Sequence, residues 1–379
     1  MKEFLKLRNT AKYKKMEHND KAQLTLFLTN SCNLNCIYCY EHKDNFVMSF
    51  HCATEWISKC LNNNSNNFWY ICLFGGEPLL QYSLIKRICE WTWQQNWPTS
   101  YKFLIQTNGT LLNDDMKNWF SINKDKIGMC LSLDGKKETH DKNRNNSFDR
   151  IDIDFFIKNW PDMPVKMTIS RYHINSIKDD IVWLQEKGFG IRGSNFAVGE
   201  GNYTDEEYEI IEDQLKQLSD YYIANPNIKL AQILDIPLHL LSSPKDAQNR
   251  ICNLGTDKLI VVNTDGTTSP CSYFSNISSR KNDINLQRQL KEIDAKKTIC
   301  FDTCEFAPIC NVCYAENYTE TGDMYIPSKQ RCRIMKMCIF AAMYVMANRI
   351  ANKKDVTYED TLTIKSIQYY YQQLKNTLL

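Results

Sequence analysis

The sequence LTLFLTNSCNLNCIYCY, residues 24–40, decides the fold prediction. Its first part, residues 24–29, is apolar and is predicted to be a strand. A short loop follows with Cys32, Cys36 and Cys39 in the spacing C-x3-C-x2-C, and we call these three residues the cysteine loop. Three thiolates can ligate three irons of a [4Fe–4S] cluster and leave the fourth iron open. The other interpretations are a zinc knuckle or free buried thiols, but zinc sites usually show paired CxxC or Cys/His spacing.

The composition is that of an ordinary globular protein with one large domain or two moderate ones. The chain has 379 residues, of which 43% are hydrophobic and 24% are charged. Its net charge of +2 gives no reason to expect a nucleic acid or an anionic membrane as partner. The N-terminus has no apolar signal segment, and no run approaches the roughly 18 apolar residues of a membrane helix. We therefore expect a cytoplasmic protein, with the short apolar stretch after Cys338 in a packed helix.

The chain contains sixteen cysteines although no secretory signal is evident. Cytosolic thiols stay reduced, so metal ligation explains this number better than a disulfide scaffold does. Seven of the cysteines lie in a polar, turn-rich stretch between Cys252 and Cys332. Six others stand singly among apolar residues, where free cysteine packs as a small hydrophobic side chain. These six are Cys52, Cys60, Cys72, Cys89, Cys130 and Cys338.

Short β-rich runs alternate with helical segments from residue 22 to about residue 200. Six strands are predicted, at residues 24–29, 68–74, 101–106, 127–133, 165–169 and 191–198. Strands separated by helices indicate βαβ units with a parallel sheet and right-handed crossovers. We therefore predict an α/β fold, a partial (β/α)6 barrel similar to a TIM barrel, with ligands at the carboxyl ends of the strands.

This pattern divides the chain into five parts. We predict an N-terminal extension at residues 1–21 and the barrel at residues 22–200. A helical bridging region is predicted at residues 201–250, a cysteine-rich domain at 251–335 and a helical tail at 336–379. Amphipathic helices are predicted in the barrel at residues 80–93, 114–120, 149–160 and 177–187. Two further helices are predicted at residues 205–224 and 359–374.

Two short motifs follow predicted strands. Gly75, Gly76, Glu77 and Pro78 form the GGEP motif after the second strand. Its glycines allow a close backbone approach, its carboxylate suits an ammonium group, and its proline fixes the exit of the chain. Taken alone, the motif is equally well explained as a turn. The sequence QTNG after the third strand contains Asn108, and its other interpretation is an Asn-Gly turn.

The cysteine loop and the GGEP motif one strand later resemble the site of radical S-adenosylmethionine (SAM) enzymes. The resemblance is to the peptide-modifying branch, which includes anaerobic sulfatase maturases and maturases of ribosomally made peptides (RiPPs). It implies that the cysteine loop holds a [4Fe–4S] cluster whose open iron binds SAM. It also implies that the GGEP motif binds the methionyl amino group and that Asn108 lies at the edge of the barrel.

A third constellation begins at the end of the fourth predicted strand and contains Ser132, Asp134 and Arg144. In peptide-modifying radical SAM enzymes, a serine and an arginine at this spacing contact the ribose and the carboxylate of SAM. The resemblance implies these roles for Ser132 and Arg144, with Asp134 in the same SAM-binding site. The other interpretation is a turn at Asp134 and a solvated surface charge at Arg144.

The C-terminal cysteines resemble a SPASM domain, which binds two auxiliary [4Fe–4S] clusters. The resemblance assigns the distal cluster to Cys300, Cys304, Cys310 and Cys332, and the proximal cluster to Cys252, Cys271 and Cys313. The central spacing is C-x3-C-x5-C-x2-C, whereas SPASM domains usually show C-x2-C-x5-C-x3-C. No further cysteine follows shortly after Cys252, so an open iron, another residue or the substrate would complete the proximal cluster. A zinc ribbon is the other interpretation.

The resemblance implies three [4Fe–4S] clusters and SAM as cofactors. It further implies reductive cleavage of SAM to a 5′-deoxyadenosyl radical, which abstracts a hydrogen atom from the substrate. Auxiliary clusters suit the loss of an electron from the substrate radical, and hence a net oxidation. We therefore expect oxidative crosslinking of a ribosomally made peptide, through a thioether or a carbon–carbon bond.

Three other functions stay open. A peptide epimerase would need a thiol that returns a hydrogen atom, for which Cys130 and Cys338 are conceivable. A sulfatase maturase oxidises a cysteine or serine, but that branch carries an aspartate after the cysteine that corresponds to Cys271, where this chain has Ser272. A regulatory protein that binds iron–sulfur clusters or zinc would not cleave SAM at all.

The expected partners follow from this chemistry. They are a peptide substrate and an external electron donor of the flavodoxin or ferredoxin type. About twenty residues precede the first predicted strand, too few for an independent leader-recognition domain. A separate leader-recognition protein is therefore a possible partner, whereas a nucleic acid or a membrane is not expected.

Overall fold

The computed structural model describes most of the chain. The described residues are 21–63, 65–161, 164–190, 193–200, 203–242, 253–275, 286, 300, 304–310 and 312–377. The predicted N-terminal extension, apart from Lys21, and the predicted cluster ligand Cys252 lie outside these residues.

Four parallel strands form the main part of the sheet. They are hydrogen-bonded in the order β4-β3-β2-β1, with β1 at Lys21–Thr29, β2 at Phe68–Gly75, β3 at Ser100–Thr107 and β4 at Ile127–Leu131. The sequence predicts each of them to within a few residues, because β-branched and aromatic side chains fill these runs. Alternate residues of β2, beginning with Trp69, are buried in the core that the sheet shares with its helices. The residues between them are partly accessible on the other face.

Seven helices of the described chain lie between the strands or directly after them. They are α1 (Phe50–Leu61), α2 (Tyr82–Trp93), α3 (Asp114–Ile122), α4 (Lys137–Asn143), α5 (Ile153–Asn159), α6 (Ile177–Glu186) and α7 (Asp205–Ala224). The sequence predicts five of them but not α1 and α4. The bounds of α7 agree with the prediction, because Thr204 and Glu207 form a capping box at its start.

The fifth and sixth predicted strands are much shorter in the structure. β5 (Thr168–Ile169) and β6 (Asn195–Phe196) pair in parallel with each other. A single bridge between Ser132 and Lys166 continues the sheet from the end of β4. Pro164 has no N–H to donate, which limits the ladder at the start of this segment. The predicted α/β fold with a parallel sheet curved into a partial barrel is confirmed, but its last two strands are reduced.

The chain returns to the sheet after the bridging region. β7 (Leu259–Val262) pairs in parallel with β1, at the edge that β2 does not use. β8 (Thr268–Ser269) then pairs antiparallel with β7. The sequence does not predict these two strands, because a run of four apolar residues beside cysteine-rich turns is a weak strand signal. The C-terminal half is thereby joined to the first strand of the barrel.

In the described part of the C-terminal half, three α-helices follow, α8 (Tyr314–Thr321), α9 (Lys329–Ala351) and α10 (Tyr358–Thr377). Helix α9 is longer than the packed helix expected after Cys338. By length and composition it could cross a membrane, although 39% of its apolar window is buried in this fold. It packs against α7 and α10 and buries Cys338 and Ile339. This packing accounts for its apolar side chains.

The GGEP motif lies unusually close to the end of β1. The Gly76 N–H donates to Thr29 O and the Glu77 N–H donates to Ser31 O, both at 2.9 Å. A Cβ atom on Gly75 would lie 2.2 Å from Thr29 O, and one on Gly76 would lie 2.3 Å from Ser31 O. Gly75 also has a φ of +130°. Only glycine can occupy these two positions without displacing the backbone.

We expect Gly76→Ala to destabilise the fold more than Gly322→Ala does. The methyl group at position 76 meets the backbone of Ser31, which cannot move without disturbing the cysteine loop. A Cβ atom added at Gly322, the C-cap of α8, would meet no atom of the described residues within 4 Å, so only the left-handed backbone is strained. That strain costs about 1–2 kcal/mol. Urea denaturation gives both free energies of unfolding, and equal losses would contradict the steric explanation.

Candidate active site

The three thiols of the cysteine loop share one small region directly after β1. The pKa of Cys36 is raised to about 11, mainly by burial and in part by Cys39 and Cys32. Such mutual influence requires sulfur atoms that lie near one another. The Leu34 N–H donates to Cys32 Sγ at 3.5 Å, and the Cys39 N–H donates to Cys36 O at 3.1 Å. The loop therefore brings three candidate ligands to the carboxyl end of β1.

This set of donors suits an iron–sulfur cluster better than a zinc ion. Within the residues that the structure describes, no three His, Cys, Asp or Glu side chains converge closely enough to hold a single metal ion. A four-iron cluster holds its ligand sulfurs farther apart than a single ion does. Three thiols from one loop are also the ligands that such clusters use.

Glu77 is buried beside the cysteine loop, with only 1% of the residue exposed. Its carboxylate accepts hydrogen bonds from Leu79 N–H at 3.0 Å, Thr107 Oγ1 at 2.7 Å and Asn108 N–H at 2.8 Å. Burial nevertheless raises the pKa of Glu77 to about 7. A carboxyl group held in the interior in this way favours a cationic ligand, which would stabilise its charged form.

Asn108 connects the cysteine loop with the end of β3. Its side-chain amide donates to Asn33 Oδ1 at 2.9 Å, and Asn33 Nδ2 donates to Thr110 Oγ1 at 2.8 Å. Thr110 Oγ1 in turn donates to Asn108 Oδ1 at 2.8 Å. Asn33 belongs to the loop between Cys32 and Cys36. The ends of β1, β2 and β3 are therefore joined by hydrogen bonds around the candidate ligands.

Asp134 is the centre of a buried network beyond the end of β4. Arg144 Nε and Nη2 donate to its two oxygens at 2.9 and 3.0 Å. This carboxylate also accepts hydrogen bonds from Tyr38 OH at 2.5 Å, Asn143 Nδ2 at 3.2 Å and Thr168 N–H at 2.9 Å. Burial raises the pKa of Asp134, but the Arg144 charge and these bonds outweigh it and the pKa is lowered. Because Tyr38 lies within the cysteine loop, the network holds that loop against β4 and β5.

Arg144 is a buried charge in this structure and not a solvated one. Its Nη1 makes no hydrogen bond with the described residues, while the guanidinium lies 5.4 Å from the centre of the Tyr38 ring. Its charge lowers the pKa of both Cys36 and Glu77, against the larger effect of burial. Ser132 is buried one residue beyond β4. The structure thus brings the predicted SAM-binding residues to one edge of the sheet.

Four cysteines of the C-terminal half share a second region. The pKa of Cys310 is raised to about 11 by burial, and Cys304, Cys300 and Cys332 act in the same direction. The Cys304 N–H donates to Cys300 O at 3.0 Å. Cys332 lies near the start of α9. These are the four cysteines that the resemblance assigns to the distal cluster.

Cys271 and Cys313 pack against another small core of the C-terminal half. Cys313 is the N-cap of α8, and the N–H groups of Ala315 and Glu316 favour its thiolate, although burial raises its pKa overall. Thiolates at helix N-termini are stabilised in this way, and metal ligation requires the thiolate. The third predicted proximal ligand, Cys252, lies outside the described residues.

Tyr40 and Glu41 follow the cysteine loop and belong to the site, although no motif identifies them. The Tyr40 ring lies 4.6 Å from the Tyr273 ring, measured between centres, and Cys271 is close enough to raise the Tyr40 pKa. The two Glu41 carboxylate oxygens are shielded from solvent, and within the described part of the chain no donor forms a hydrogen bond with them. Burial raises its pKa to about 8, although the neighbouring Tyr40 hydroxyl favours its charged form. Their position directly after the loop is the only sequence signal for them.

We expect Asp134→Asn to destabilise the protein far more than Tyr38→Phe does. The first change leaves the buried Arg144 unpaired, which costs about 3–5 kcal/mol. The second removes one hydrogen bond to a carboxylate, which costs about 2 kcal/mol. Asp220→Asn is the control, because it breaks an exposed ion pair with Lys216. Its loss of unfolding free energy should be about 1 kcal/mol or less. Urea denaturation compares the three variants, and an Asp134→Asn loss no larger than the control would contradict this account.

His140 is buried against the same network. Its Nδ1 accepts the Asp134 N–H at 3.4 Å, and its Nε2 lies 2.9 Å from Ser147 Oγ. Burial lowers the pKa of His140 to about 4, and the Arg144 charge acts in the same direction. The imidazole is therefore neutral in the folded protein at neutral pH.

The contribution of His140 to stability should fall as the pH is lowered from about 6.5 to about 4, because unfolded His140 binds a proton that the folded protein excludes. The contribution of His140 is complete above the unfolded pKa and decreases by up to about 3 kcal/mol at pH 4. A His140→Gln variant does not titrate there, so its free energy of unfolding should decline less over this range. Urea denaturation measures both free energies of unfolding as a function of pH. If the parent and the variant change in parallel, His140 is not responsible for the decrease.

Comparisons with known sequences agree with this geometry. A family described as a 4Fe–4S single cluster domain matches residues 22–150. MJ0907, an uncharacterized protein of Methanocaldococcus jannaschii, is 26% identical over 292 residues, which are 73% of this chain and 94% of that protein. The cysteine-type anaerobic sulfatase-maturating enzyme of Clostridium novyi is 31% identical over 141 residues. That match spans 32% of this chain and 36% of the enzyme's length.

A solved structure extends the similarity over nearly the whole chain. The enzyme anSMEcpe with bound AdoMet has a TM-score of 0.67 at 19% identity, covering 91% of this chain and 98% of that one. It has also been solved with AdoMet and a Cp18Cys peptide. The shared fold is the α/β fold with the parallel sheet described above. Residues 22–150 are thus similar to a 4Fe–4S single cluster domain, and the chain shares its fold with a protein solved with bound AdoMet, in agreement with the resemblance to radical SAM enzymes that the sequence indicates.

Proposed function

We propose that this enzyme is a maturase that uses SAM to oxidise a ribosomally made peptide. One observation carries the proposal: the GGEP motif is hydrogen-bonded to the start of the cysteine loop, through Glu77 N–H and Ser31 O at 2.9 Å. Glu77 and Cys32 consequently lie close enough for the carboxylate to raise the pKa of the thiol, which burial raises more strongly. A molecule with an ammonium group can therefore contact Glu77 while it meets a cluster on the cysteine loop.

The residues around this position would bind and orient SAM. When a [4Fe–4S] cluster is bound by the cysteine loop, it supplies the electron that cleaves SAM, and the 5′-deoxyadenosyl group released takes a hydrogen atom from the substrate. Glu77 would pair with the methionyl ammonium group. The free Nη1 of Arg144 would donate to the methionyl carboxylate, while Asp134 fixes the guanidinium. Ser132 would contact the ribose at the end of β4.

The other members of the predicted SAM-binding site would shape the pocket. Gly75 and Gly76 let the backbone of the GGEP motif approach the end of β1, as their short contacts require. Pro78 directs the chain into the 3-10 helix Pro78–Gln81, and Asn108 holds the cysteine loop through Asn33. A rigid pocket of this kind keeps water out and holds the reacting carbon near the 5′-deoxyadenosyl group.

We propose two auxiliary [4Fe–4S] clusters, which makes three in total. Their ligands would be the distal set Cys300, Cys304, Cys310 and Cys332, and the proximal set Cys252, Cys271 and Cys313. The closeness of the four distal cysteines supports the first assignment. Tyr40 lies between the cysteine loop and Cys271, which would place the substrate near the proximal cluster. An external donor of the flavodoxin or ferredoxin type would supply electrons in an anaerobic cytoplasm, and a separate protein could recognise a leader peptide.

A thioether or carbon–carbon crosslink is the product that we favour. A proximal cluster with three cysteine ligands would leave one iron for a substrate thiol. Oxidation of a single cysteine or serine is the second candidate, and the Clostridium novyi relative is a cysteine-type anaerobic sulfatase-maturating enzyme. Against it, Ser272 follows Cys271, and no acid stands there. Epimerisation has less support, because Cys130 is hydrogen-bonded to Pro164 O at 3.0 Å and Cys338 is buried in α9.

Protein reconstituted anaerobically should release 5′-deoxyadenosine from SAM in the presence of dithionite. Cys36→Ala removes one of three cluster ligands, so its release should fall to the background level. Cys60→Ala removes a buried thiol outside all proposed ligand sets and should retain the parent activity. Liquid chromatography measures the product. Undiminished release by Cys36→Ala would refute the assignment of the cysteine loop.

The modified peptide itself distinguishes the three reactions. We would supply short peptides encoded beside the gene and a sulfatase-derived peptide, and analyse them by tandem mass spectrometry. A crosslink removes two hydrogens without creating an aldehyde, whereas sulfatase-type oxidation yields an aldehyde that reacts with a hydrazine probe. Epimerisation leaves the mass unchanged but incorporates deuterium from heavy water. An enzyme that cleaves SAM yet changes none of these peptides would contradict the maturase proposal.

A further inference from the structure

Arg331 and Glu316 form an ion pair in the C-terminal half, away from the proposed SAM site. Arg331 Nη1 donates to Glu316 Oε2 at 2.8 Å, and their side chains are only 22% and 11% exposed. Glu316 lies in the first turn of α8, shortly after Cys313. Arg331 lies in the first turn of α9, directly before Cys332. The ion pair therefore joins two helices that each begin beside a proposed cluster ligand.

This position puts the pair between the two sets of auxiliary ligands. Cys313 belongs to the proposed proximal set, whereas Cys332 and Cys310 belong to the distal set. Because Arg331 donates to Glu316 in the first turn of α8, its guanidinium lies at the start of the helix that Cys313 caps, while its own backbone adjoins Cys332. A charge that acts on one ligand of each set will also act on the groups that those ligands hold.

These charges are not the only contacts that support the two helices. A buried ion pair adds little to stability, and apolar side chains of similar volume often pack as well or better. The segment between the helices has its own support, since Asn317 Oδ1 accepts the Ser328 N–H at 2.9 Å and Asn317 Nδ2 donates to Met324 O at 3.0 Å. An effect on neighbouring groups is therefore a better explanation for a buried charge pair at this place.

We propose that the ion pair sets the reduction potentials of the two auxiliary clusters, with Arg331 raising them and Glu316 limiting the rise. The inference rests on the proposed function, because it requires both clusters. A cluster gains one negative charge when it is reduced, so a nearby cation stabilises the reduced form and a nearby anion destabilises it. Groups just outside the ligands commonly tune metal centres in this way.

The tuning matters for the oxidative step. Forming a thioether or carbon–carbon bond removes two hydrogens from the substrate. One leaves as a hydrogen atom, which the 5′-deoxyadenosyl group takes. The other leaves as a proton to solvent, and its electron goes to an auxiliary cluster, which changes from the 2+ to the 1+ state. An external acceptor of the flavodoxin or ferredoxin type then removes that electron. A guanidinium between the clusters makes this transfer more favourable.

The test is a redox titration of the anaerobically reconstituted enzyme, followed by electron paramagnetic resonance without SAM or peptide. Arg331→Gln should shift the potentials of the auxiliary signals to lower values, and Glu316→Gln should shift them to higher values. The signal of the cluster on the cysteine loop should stay unchanged and serves as an internal reference. Arg333→Gln removes a half-exposed arginine from the same helix and should cause no shift.

Opposite shifts in the two variants support the inference, because a purely structural disturbance would not reverse its sign with the sign of the charge removed. Shifts in the same direction, or none beyond that of Arg333→Gln, would overturn it. If Arg331→Gln does not assemble its clusters, Arg331→Lys and Glu316→Gln provide the test. Arg331→Lys should keep the parent potentials, and Glu316→Gln should still raise them. Iron and sulfide content of the parent enzyme tests the proposed three clusters separately, since one cluster alone would refute the function proposal.

Discussion

The contact between the GGEP motif and the end of β1 is the constraint on which the site depends. The backbone of Gly75 and Gly76 lies so close to that of residues 29–31 that no side chain fits at these two positions. Because β1 and β2 are adjacent parallel strands, both motifs leave the sheet at the same edge. This contact brings a buried carboxylate and three thiols to the same place. Both positions require glycine because the two backbones lie so close together. Gly75 is also required because its φ is positive.

A second interaction fixes the cysteine loop from its other side. Tyr38 reaches Asp134 beyond β4, and Asp134 holds Arg144 through two hydrogen bonds. Backbone contacts at one end and a buried charge network at the other leave the loop little freedom to rearrange. The network also keeps a guanidinium close to Cys36 without leaving that cation unpaired. The arginine is thus available to an anionic ligand through one nitrogen while its charge is balanced by the protein.

The sequence predicts the parts of this site that depend on local patterns. The first four strands follow apolar runs, and the cysteine loop, the GGEP motif and Ser132 come directly after such runs. Tertiary contacts decide what it does not predict. β7 is recognisable only through its pairing with β1, and Tyr40 only through its stacking on Tyr273, which is far away in the chain. Short strands such as β5 and β6 carry too few residues for a periodic signal.

The segment that carries Cys271 is joined to the start of the barrel through the pairing of β7 with β1. β7 extends the sheet beside β1, so the segment that carries Cys271 begins next to the strand that carries the cysteine loop. The stacked rings of Tyr40 and Tyr273 then bring the residue after Cys39 against the residues after Cys271. This arrangement places the proposed sites of hydrogen abstraction and electron removal on one side of the fold. A peptide bound there would meet both in succession, which is what an oxidation by two separate one-electron steps requires.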